Sequence, residues 1–277
     1  MTTPRIVTPP TRASIPTDAA VVLVHAAIAP VHVEPRVSSG QTTQALAAHP
    51  LRILARHDDD WLRVRGADGY EGWIHRGYVA LPGDLGVTDP TSWPGEARTS
   101  LGASVSQPGG LQRALPLGAW LRPDEEVLAG EALLPRERQA RFAPDGAAIA
   151  RTAVERFAGT PYQWGGLTPW GADCSGLAQT AFGLHGVPLP RDAYQQAECG
   201  VDAGRDPLAL AAGDLLFFSD RPDGHITHVG VALGERRMVH LALGRGGYAV
   251  EDLGDAADGY VAALVRRFVG ARRVVGA

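Results

Sequence analysis

Short alternating segments of apolar and polar residues fill the first third of the chain. Between residues 19 and 81 the alternation predicts five strands, in the segments AAVVLVH, APVHVEP, LRILARH, DWLRVRG and EGWIHRGYV. The last two segments predict a hairpin, because Asp68 and Gly69 between them suit a turn that needs a positive φ angle. Several short strands that lie close together in sequence are typical of a small β-barrel.

The pattern changes to a helical period near residue 146 and returns to alternation after Gly186. GAAIARTAVERF predicts a helix that ends near Gly159, and SGLAQTAFGLH belongs to a second helix that Asp173 caps. The later segments DLLFFS, HVGVALG, RMVHLAL, YAVEDL and YVAALVRRF predict an antiparallel meander. Helices followed by a run of strands indicate an α+β fold rather than a parallel βαβ sheet.

These patterns divide the chain into four regions. Residues 1–18 form a tail rich in Pro and Thr, and 19–81 form the first barrel. Residues 82–145 hold a linker and a second, degenerate barrel, and 146–277 form the α+β domain. The second barrel is predicted from two echoes of the first, because LGASVSQP resembles HAAIAPVHVEP and LPLGAWLRP resembles HPLRILARH.

Composition narrows the classes of function. The net charge of -4 and the pI near 6.1 argue against nucleic acid as a partner, because phosphate binding favours a basic surface. No apolar run approaches the roughly 20 residues of a membrane span, and the N-terminus lacks the apolar core of a secretion signal. We therefore expect a soluble, cytoplasmic protein without a membrane partner. The two cysteines lack metal-finger spacing, and we expect no metal or other cofactor.

Cys174 stands at the start of a predicted helix, which is an unusual place for a core cysteine. There the helix dipole and the unpaired N–H groups of the first turn favour thiolate over thiol. The same N–H groups can stabilise the oxyanion that forms when a thiolate attacks an amide. The position therefore supplies a nucleophile and an oxyanion site, and it requires a base from elsewhere in the chain.

His228 and His240 are the best candidates for that base among the nine histidines. They lie in neighbouring predicted strands joined by a turn at Gly234 and Glu235, so that they can meet across the pair. One imidazole would then take the thiol proton, and the other would orient it. The alternative is a pair of half-buried histidines with a purely structural role.

The segment PYQWGGLTPWGADCSGLA resembles the active-site signature of the NlpC/P60 cysteine peptidases. LPRDAYQQA, AAGDLLFF, HVGVALG and MVHLALGRGG follow in the order of that family, and the resemblance covers about residues 150–268. It implies a papain-like fold in which Cys174 is the nucleophile, His228 the base and His240 the residue that orients the base. Tyr162 would donate a hydrogen bond near the tetrahedral intermediate. The core DWLRVR…DGYEGWI of the first barrel similarly resembles a bacterial SH3 domain.

The resemblance also implies a substrate. NlpC/P60 proteins cut peptides of the bacterial cell wall, and those with SH3 domains before the catalytic domain resemble the γ-D-glutamyl-diamino acid endopeptidases of murein recycling. The expected substrate is a murein tripeptide or related muropeptide with a free N-terminal L-Ala. Asp192 matches the acidic residue that receives this amine, and Asp173 and Ser175 would line the same pocket. Tyr70 of the first barrel would close it.

Two other functions stay open at this point. A wall-lytic NlpC/P60 hydrolase that acts on intact peptidoglycan would carry the same catalytic residues, although the missing export signal disfavours it. A non-catalytic protein could bind the wall through SH3 domains and retain an inert C-terminal domain. The intact set of Cys174, His228 and His240 speaks against this third function.

Overall fold

The N-terminal region folds into one antiparallel sheet of seven strands. The computed structural model describes residues 15–107 and 109–276, so that most of the predicted tail lies outside the described residues. The strands are β1 (Val21–Val24), β2 (Ile28–His32), β3 (Gln41–Leu46), β4 (Pro50–His57), β5 (Trp61–Arg65), β6 (Glu71–His75) and β7 (Val79–Ala80). Their order is β3-β2-β6-β5-β4-β1-β7, and no ladder in residues 15–107 joins β3 to β7. The predicted closure into a barrel is therefore not found among these ladders.

Strand β3 is an addition to the five predicted strands of this sheet. Its sequence, QTTQAL, offers no alternation of apolar and polar residues, which is the signal used for the other strands. The predicted hairpin is confirmed, since Arg65 of β5 pairs with Glu71 of β6 and Gly69 between them has a φ of 80°. Apolar residues of the sheet, among them Val22, Leu62 and Ile74, form its core.

A second sheet follows, with four strands. These are β8 (Thr99–Ser106), β9 (Gln112–Trp120), β10 (Glu126–Ala129) and β11 (Ala132–Leu133), and β8 pairs with the other three. The sheet contacts the first one, with Nε2 of His49 2.9 Å from the carbonyl oxygen of Gly118 in β9. In the segment between the sheets, the indole N–H of Trp93 donates to the carbonyl of Ala48 at 2.9 Å. The likeness of this region to a second SH3 domain stays a prediction.

The C-terminal region is a mixture of helices and strands, as predicted. Its helices are α1 (Pro135–Arg141), α2 (Gly146–Phe157), α3 (Cys174–Leu184), α4 (Ala193–Gln196) and α5 (Gly259–Arg266). A short hairpin of β12 (Leu167–Thr168) and β13 (Gly171–Ala172) precedes α3. The main sheet contains β14 (Val201–Gly204), β15 (Leu215–Phe218), β16 (His228–Gly234), β17 (Arg237–Ala242), β18 (Gly247–Asp252) and β19 (Phe268–Arg273). In the part of the chain that is described, no helix has the length and apolar character needed to cross a bilayer.

The prediction of a final strand in YVAALVRRF is wrong. Most of the segment forms α5, and β19 begins only at its last residue. A helix forms instead of a strand for two reasons. Asp258 caps it by accepting from two first-turn N–H groups, and Val261 and Leu264 are buried on one face at helical spacing. Strand β19 then inserts between β14 and β15, so that the order is β14-β19-β15-β16-β17-β18 rather than a simple meander.

The main sheet separates two apolar cores. Alternate residues of its strands, including Phe217, Val231 and Val239, pack with α2 and α3 on one face. The residues between them, such as Phe218 and Met238, pack with α5 on the other face. Burial on both faces fixes α3 against the sheet, and its first turn therefore has a defined position.

The first turn of α3 lies against the loop that precedes β12. A Cβ atom built on Gly176 would lie 2.0 Å from the carbonyl oxygen of Gly166. Gly183 on the same helix is different, because a Cβ atom there would meet nothing within 4 Å. Only a glycine at position 176 allows the helix to approach the loop this closely.

These two glycines give a matched test of the close approach. We expect Gly176→Ala to lower the free energy of unfolding by at least about 1–3 kcal/mol, because the loop must move. Gly183→Ala should raise it by about 0.5–1 kcal/mol, because alanine loses less backbone entropy on folding. Urea denaturation followed by circular dichroism measures both values. Equal effects of the two substitutions would contradict the packing described here.

Candidate active site

Cys174 is the first residue of α3, as predicted, and is only 8% exposed. The helix begins there because Asp173 adopts an extended conformation and its carboxylate accepts from the N–H of Gly176 at 2.8 Å. The side chain of Cys174 therefore stands at the positive end of the helix, next to N–H groups that have no partner within it.

The two predicted histidines meet between β16 and β17. Nε2 of His228 lies 2.8 Å from Nδ1 of His240. The strands are joined by a tight turn in which Glu235 and Arg236 have φ angles of 50° and 65°. His240 is fully buried and His228 is half-buried. Because Nε2 of His228 is used in this contact, Nδ1 is its ring nitrogen that is left for a nucleophile.

The thiol of Cys174 lies near the end of β16 that carries His228. The backbone N–H of Val229, the residue after His228, acts on the thiol and favours its ionised form, as does the N–H of Ser175. Burial outweighs both groups and raises the pKa of the Cys174 thiol to about 12, and the charge of Asp173 adds to the rise. The N–H groups thus favour the thiolate, as expected, but removal from water disfavours its charge more.

The base is neutral in the same resting state. Burial, together with a smaller effect of the neighbouring His240, lowers the pKa of His228 to about 3. A neutral imidazole can accept a proton, whereas an imidazolium cannot. The resting site thus pairs a thiol with a neutral base, and the proton of Cys174 moves when the sulfur attacks.

Tyr162 is held near the nucleophile by backbone contacts. It forms an isolated parallel bridge with Ala172, and its N–H donates to the carbonyl of Gly246 at 3.1 Å. Burial raises the pKa of its hydroxyl, and the charges of Cys174 and Asp173 raise it further. The phenol therefore stays protonated at neutral pH, and it can donate a hydrogen bond to an oxyanion.

Arg191, which the sequence analysis did not single out, organises the floor of the site. Its side chain is 1% exposed. Its two terminal nitrogens donate to the two oxygens of Asp173, at 3.0 and 2.7 Å. Nη1 also donates to the hydroxyl of Ser175 at 2.8 Å, and Nε donates to the hydroxyl of Thr43 in the N-terminal sheet at 3.0 Å. One buried guanidinium thus joins both residues that flank Cys174 to the other domain.

Asp173 and Ser175 lie in the site, but their polar atoms are occupied. Oδ1 of Asp173 accepts from Gly176, Ser175 and Arg191, and Oδ2 accepts from Gly165 and Arg191. A carboxylate has about four lone-pair sites, so that these bonds saturate it. These bonds hold the Asp173 side chain to α3 and to the guanidinium, and the lining of the substrate pocket by Asp173 and Ser175 stays a prediction.

Asp192 and Tyr70 form the other end of the site. The hydroxyl of Tyr70, in the turn between β5 and β6, donates to Oδ1 of Asp192 at 3.3 Å. Burial raises the pKa of the Asp192 carboxyl, although Tyr70 and Arg191 act in the opposite direction. Asp192 is half-buried, and a side-chain hydrogen bond from Tyr194, like that from Tyr70, favours its ionised form. The structure thus brings together the two residues that we predicted at the closed end of the pocket.

The polar side chains of β3 contact the catalytic domain. Gln41 donates to the carbonyl of Trp164 at 2.9 Å, and the side-chain oxygen of Gln44 accepts from the N–H of Leu167 at 3.0 Å. The contact of Thr43 with the buried guanidinium lies between them in sequence. These contacts explain why β3 is polar, since its partner is a domain surface rather than an apolar core.

The arrangement supports nucleophilic attack on an amide carbonyl. In such an attack Sγ of Cys174 would bond to the carbonyl carbon, His228 would take the thiol proton, and the N-terminus of α3 and the Tyr162 hydroxyl would stabilise the oxyanion. Collapse breaks the C–N bond, and His228 returns the proton to the leaving amine. Water then hydrolyses the thioester by the same proton transfers in reverse. This is the chemistry of a cysteine peptidase.

Comparison with known proteins agrees with this chemistry. Residues 159–261 match the NlpC/P60 family, and residues 29–80 match the bacterial SH3 domain. The chain is 27% identical over 267 residues to a γ-D-glutamyl-L-lysine dipeptidyl-peptidase of Bacillus cereus, covering 83% of this chain and 74% of that protein. It is 29% identical over 255 residues to dipeptidyl-peptidase 6 of Lysinibacillus sphaericus, covering 80% and 88% of the two chains. A crystal structure of an NlpC/P60 family protein from Bacillus cereus has a TM-score of 0.74 at 20% identity, covering 92% of this chain and 100% of that one.

Fold and site together define a cysteine peptidase with a mixed helix and strand catalytic domain. Residues 159–261 carry an NlpC/P60 domain, and residues 29–80 carry a bacterial SH3 domain before it. The two domains and the peptidase class expected from the sequence are confirmed. The roles of the individual site residues stay predictions, and the contacts described above make each of them testable.

The neutral resting state can be tested by alkylation. In a Cys199→Ala background, the rate at which iodoacetamide modifies Cys174 should rise roughly tenfold per pH unit from about pH 6 to 9, because the thiol pKa is raised. Intact-protein mass spectrometry measures the rate, and Cys174→Ala reports modification of Cys199 alone. A fast rate that is constant between about pH 5 and 8 would instead show a resting thiolate beside an imidazolium.

Proposed function

We propose that this peptidase hydrolyses the bond between γ-linked D-glutamate and a diamino acid in murein peptides that carry a free N-terminal L-Ala. One observation carries the proposal: the half-buried carboxylate of Asp192 lies under the Tyr70 hydroxyl of the SH3 domain. A carboxylate suits the ammonium group of a free N-terminus. A lid from a second domain suits a substrate that ends at this point.

The position of Asp192 relative to the nucleophile supports this assignment. Asp192 directly follows Arg191, which is bonded to both neighbours of Cys174. Arg191 thus links the segment that carries Asp192 to the turn that carries the nucleophile. An L-alanyl-γ-D-glutamyl unit would span from an ammonium at Asp192 to a scissile carbonyl at the sulfur.

The electrostatics also favour an ammonium ligand. Burial raises the pKa of Asp192, so that its charge is poorly compensated in the free enzyme. A substrate ammonium supplies the missing positive charge, and loss of that ammonium leaves a desolvated carboxylate unpaired. Ala193, which follows Asp192, has no hydroxyl to offer the amine, so that selection depends on Asp192 and Tyr70.

The relatives support the bond that we propose. The Bacillus cereus relative is named for γ-D-glutamyl-L-lysine and matches most of this chain. We propose the same class of bond here, with a muropeptide as the partner rather than nucleic acid, membrane or intact wall. The proposal includes a cytoplasmic role in murein recycling, which cell fractionation with an antibody against the chain would test.

The free amine is the feature to vary in the experiment. We expect the tripeptide L-Ala-γ-D-Glu-L-Lys to be cleaved with a specificity constant roughly 30- to several thousand-fold higher than its N-acetyl form. This range corresponds to the loss of a buried charged contact of about 2–5 kcal/mol. Asp192→Asn should narrow the ratio by impairing cleavage of the free peptide more than that of the acetylated one. Mass spectrometry of the products gives each constant.

The pH dependence and the rival function provide the controls. Because burial raises the pKa of Asp192, the preference for the free amine should shrink as pH falls through that raised value. Cys174→Ala should cleave neither peptide. Equal cleavage of the free and acetylated peptides, or ready digestion of purified peptidoglycan sacculi, would refute the recycling role and favour a wall-lytic hydrolase.

A further inference from the structure

A buried carboxylate lies behind the histidine pair, on the side away from the nucleophile. Oε1 of Glu251, in β18, lies 3.3 Å from Nε2 of His240. Glu251 is 5% exposed and His240 is fully buried. His240 therefore has a partner on each ring nitrogen, His228 on Nδ1 and Glu251 on Nε2. The ring of Tyr260, in α5, also faces His240, with 6.2 Å between the two ring centres.

Glu251 is held in its ionised form. The hydrogen bond to His240 lowers the pKa of its carboxyl, and the contacts with Arg245 lower it further. Arg245 donates from Nε to Oε1 at 2.8 Å and from Nη2 to Oε2 at 3.0 Å. Nη2 of Arg245 also donates to Oδ2 of Asp258 at 2.6 Å. The guanidinium carbon of Arg245 lies over the Tyr260 ring, 4.3 Å from the ring centre. The carboxylate thus has a fixed charge and a fixed orientation.

We propose that Glu251 is a positioning residue that sets the protonation pattern of both histidines through its contact with His240. An ionised carboxylate can only accept, so that Nε2 of neutral His240 must carry its proton. Nδ1 of His240 is then an acceptor, and Nε2 of His228 must donate to it. The proton of neutral His228 is therefore on Nε2, and Nδ1 keeps the lone pair that accepts the Sγ proton of Cys174.

The opposite pattern would disable the base. If Nδ1 of His240 carried the proton, it would donate to Nε2 of His228, and the proton of His228 would move to Nδ1. His228 would then present an N–H to the thiol and could not remove its proton. The inference rests on the cysteine peptidase chemistry and is independent of which murein peptide is the substrate.

A purely structural ion pair is the alternative, and the sheet contains a matched example. Asp214 is buried, with a side chain 1% exposed, and accepts from Arg273 at 2.8 Å on each oxygen, with no histidine among its contacts in the described residues. Asp214→Asn thus removes the charge of a buried, arginine-bound carboxylate without touching the histidine pair. The loss of stability in Asp214→Asn shows how much of the loss in Glu251→Gln comes from removing a buried, arginine-bound charge alone.

The first measurement uses the wild-type protein without substrate. Two-dimensional ¹H–¹⁵N spectra of the histidine rings report which nitrogen carries the proton. We expect protons on Nε2 of both His228 and His240 near neutral pH, and in Glu251→Gln a population with protons on Nδ1. Protonation of Nδ1 in wild-type His240 would overturn the proposal, whether or not the variant folds.

The second measurement is kinetic, with the tripeptide L-Ala-γ-D-Glu-L-Lys. Glu251→Gln should lower kcat by roughly 10- to 100-fold with KM nearly unchanged, by analogy with carboxylates that orient metal-ligating histidines. Glu251→Asp, which keeps the carboxylate, should recover part of the loss, and Asp214→Asn should keep kcat within about threefold of wild type. If Glu251→Gln and Asp214→Asn have equal kcat, the residue is only structural. If the wild type leaves this peptide intact, the proposed substrate fails, and the ring spectra still decide the role of Glu251.

Discussion

The ion pair between Arg191 and Asp173 is the contact on which the active site depends. Both side chains are almost fully buried, and they meet through two hydrogen bonds between a planar guanidinium and a carboxylate. Such a pair adds little net stability, because both charges must leave water. It is highly directional, however. Asp173 can cap α3 at Cys174 only in the orientation that Arg191 sets.

The same guanidinium makes the SH3 domain part of the catalytic site. Its contact with Thr43 lies on β3, whose polar residues face the catalytic domain rather than a core. The neighbouring residue, Asp192, meets Tyr70 from another turn of the same sheet. Through these two contacts the SH3 domain borders the site around Cys174. The proposed selection of a free amine follows from this arrangement, since the catalytic domain alone would leave Asp192 open.

The parts of the site that could be predicted from the sequence are those with local signals. A cap followed by a helical period placed Cys174, and a tight turn between two alternating strands paired His228 with His240. Arg191 and Glu251 were missed because nothing in their local sequence distinguishes a buried charged residue from an exposed one. Their burial arises only when distant segments pack against them.

The errors in the fold and the unforeseen pKa of the thiol have the same origin. Strand β3 was missed because its apolar signal is replaced by contacts with another domain. Helix α5 was taken for a strand because a short apolar run fits both structures, and only the cap at Asp258 separates them. The raised pKa of the Cys174 thiol was not foreseen because the helix terminus is visible in the sequence, whereas the burial that opposes it depends on the tertiary fold.

A double-mutant cycle on the ion pair tests the central claim most directly. Asp173→Asn keeps a good N-cap and removes the charge, and Arg191→Met keeps the apolar stem and removes the guanidinium. The free energy of unfolding of both single variants and the double variant would be measured by urea denaturation. Each single change should cost about 3–5 kcal/mol, because it strands a buried charge, and the double variant should lose much less than the sum. Losses that simply add would contradict the view that these two residues form one unit at the base of the active site.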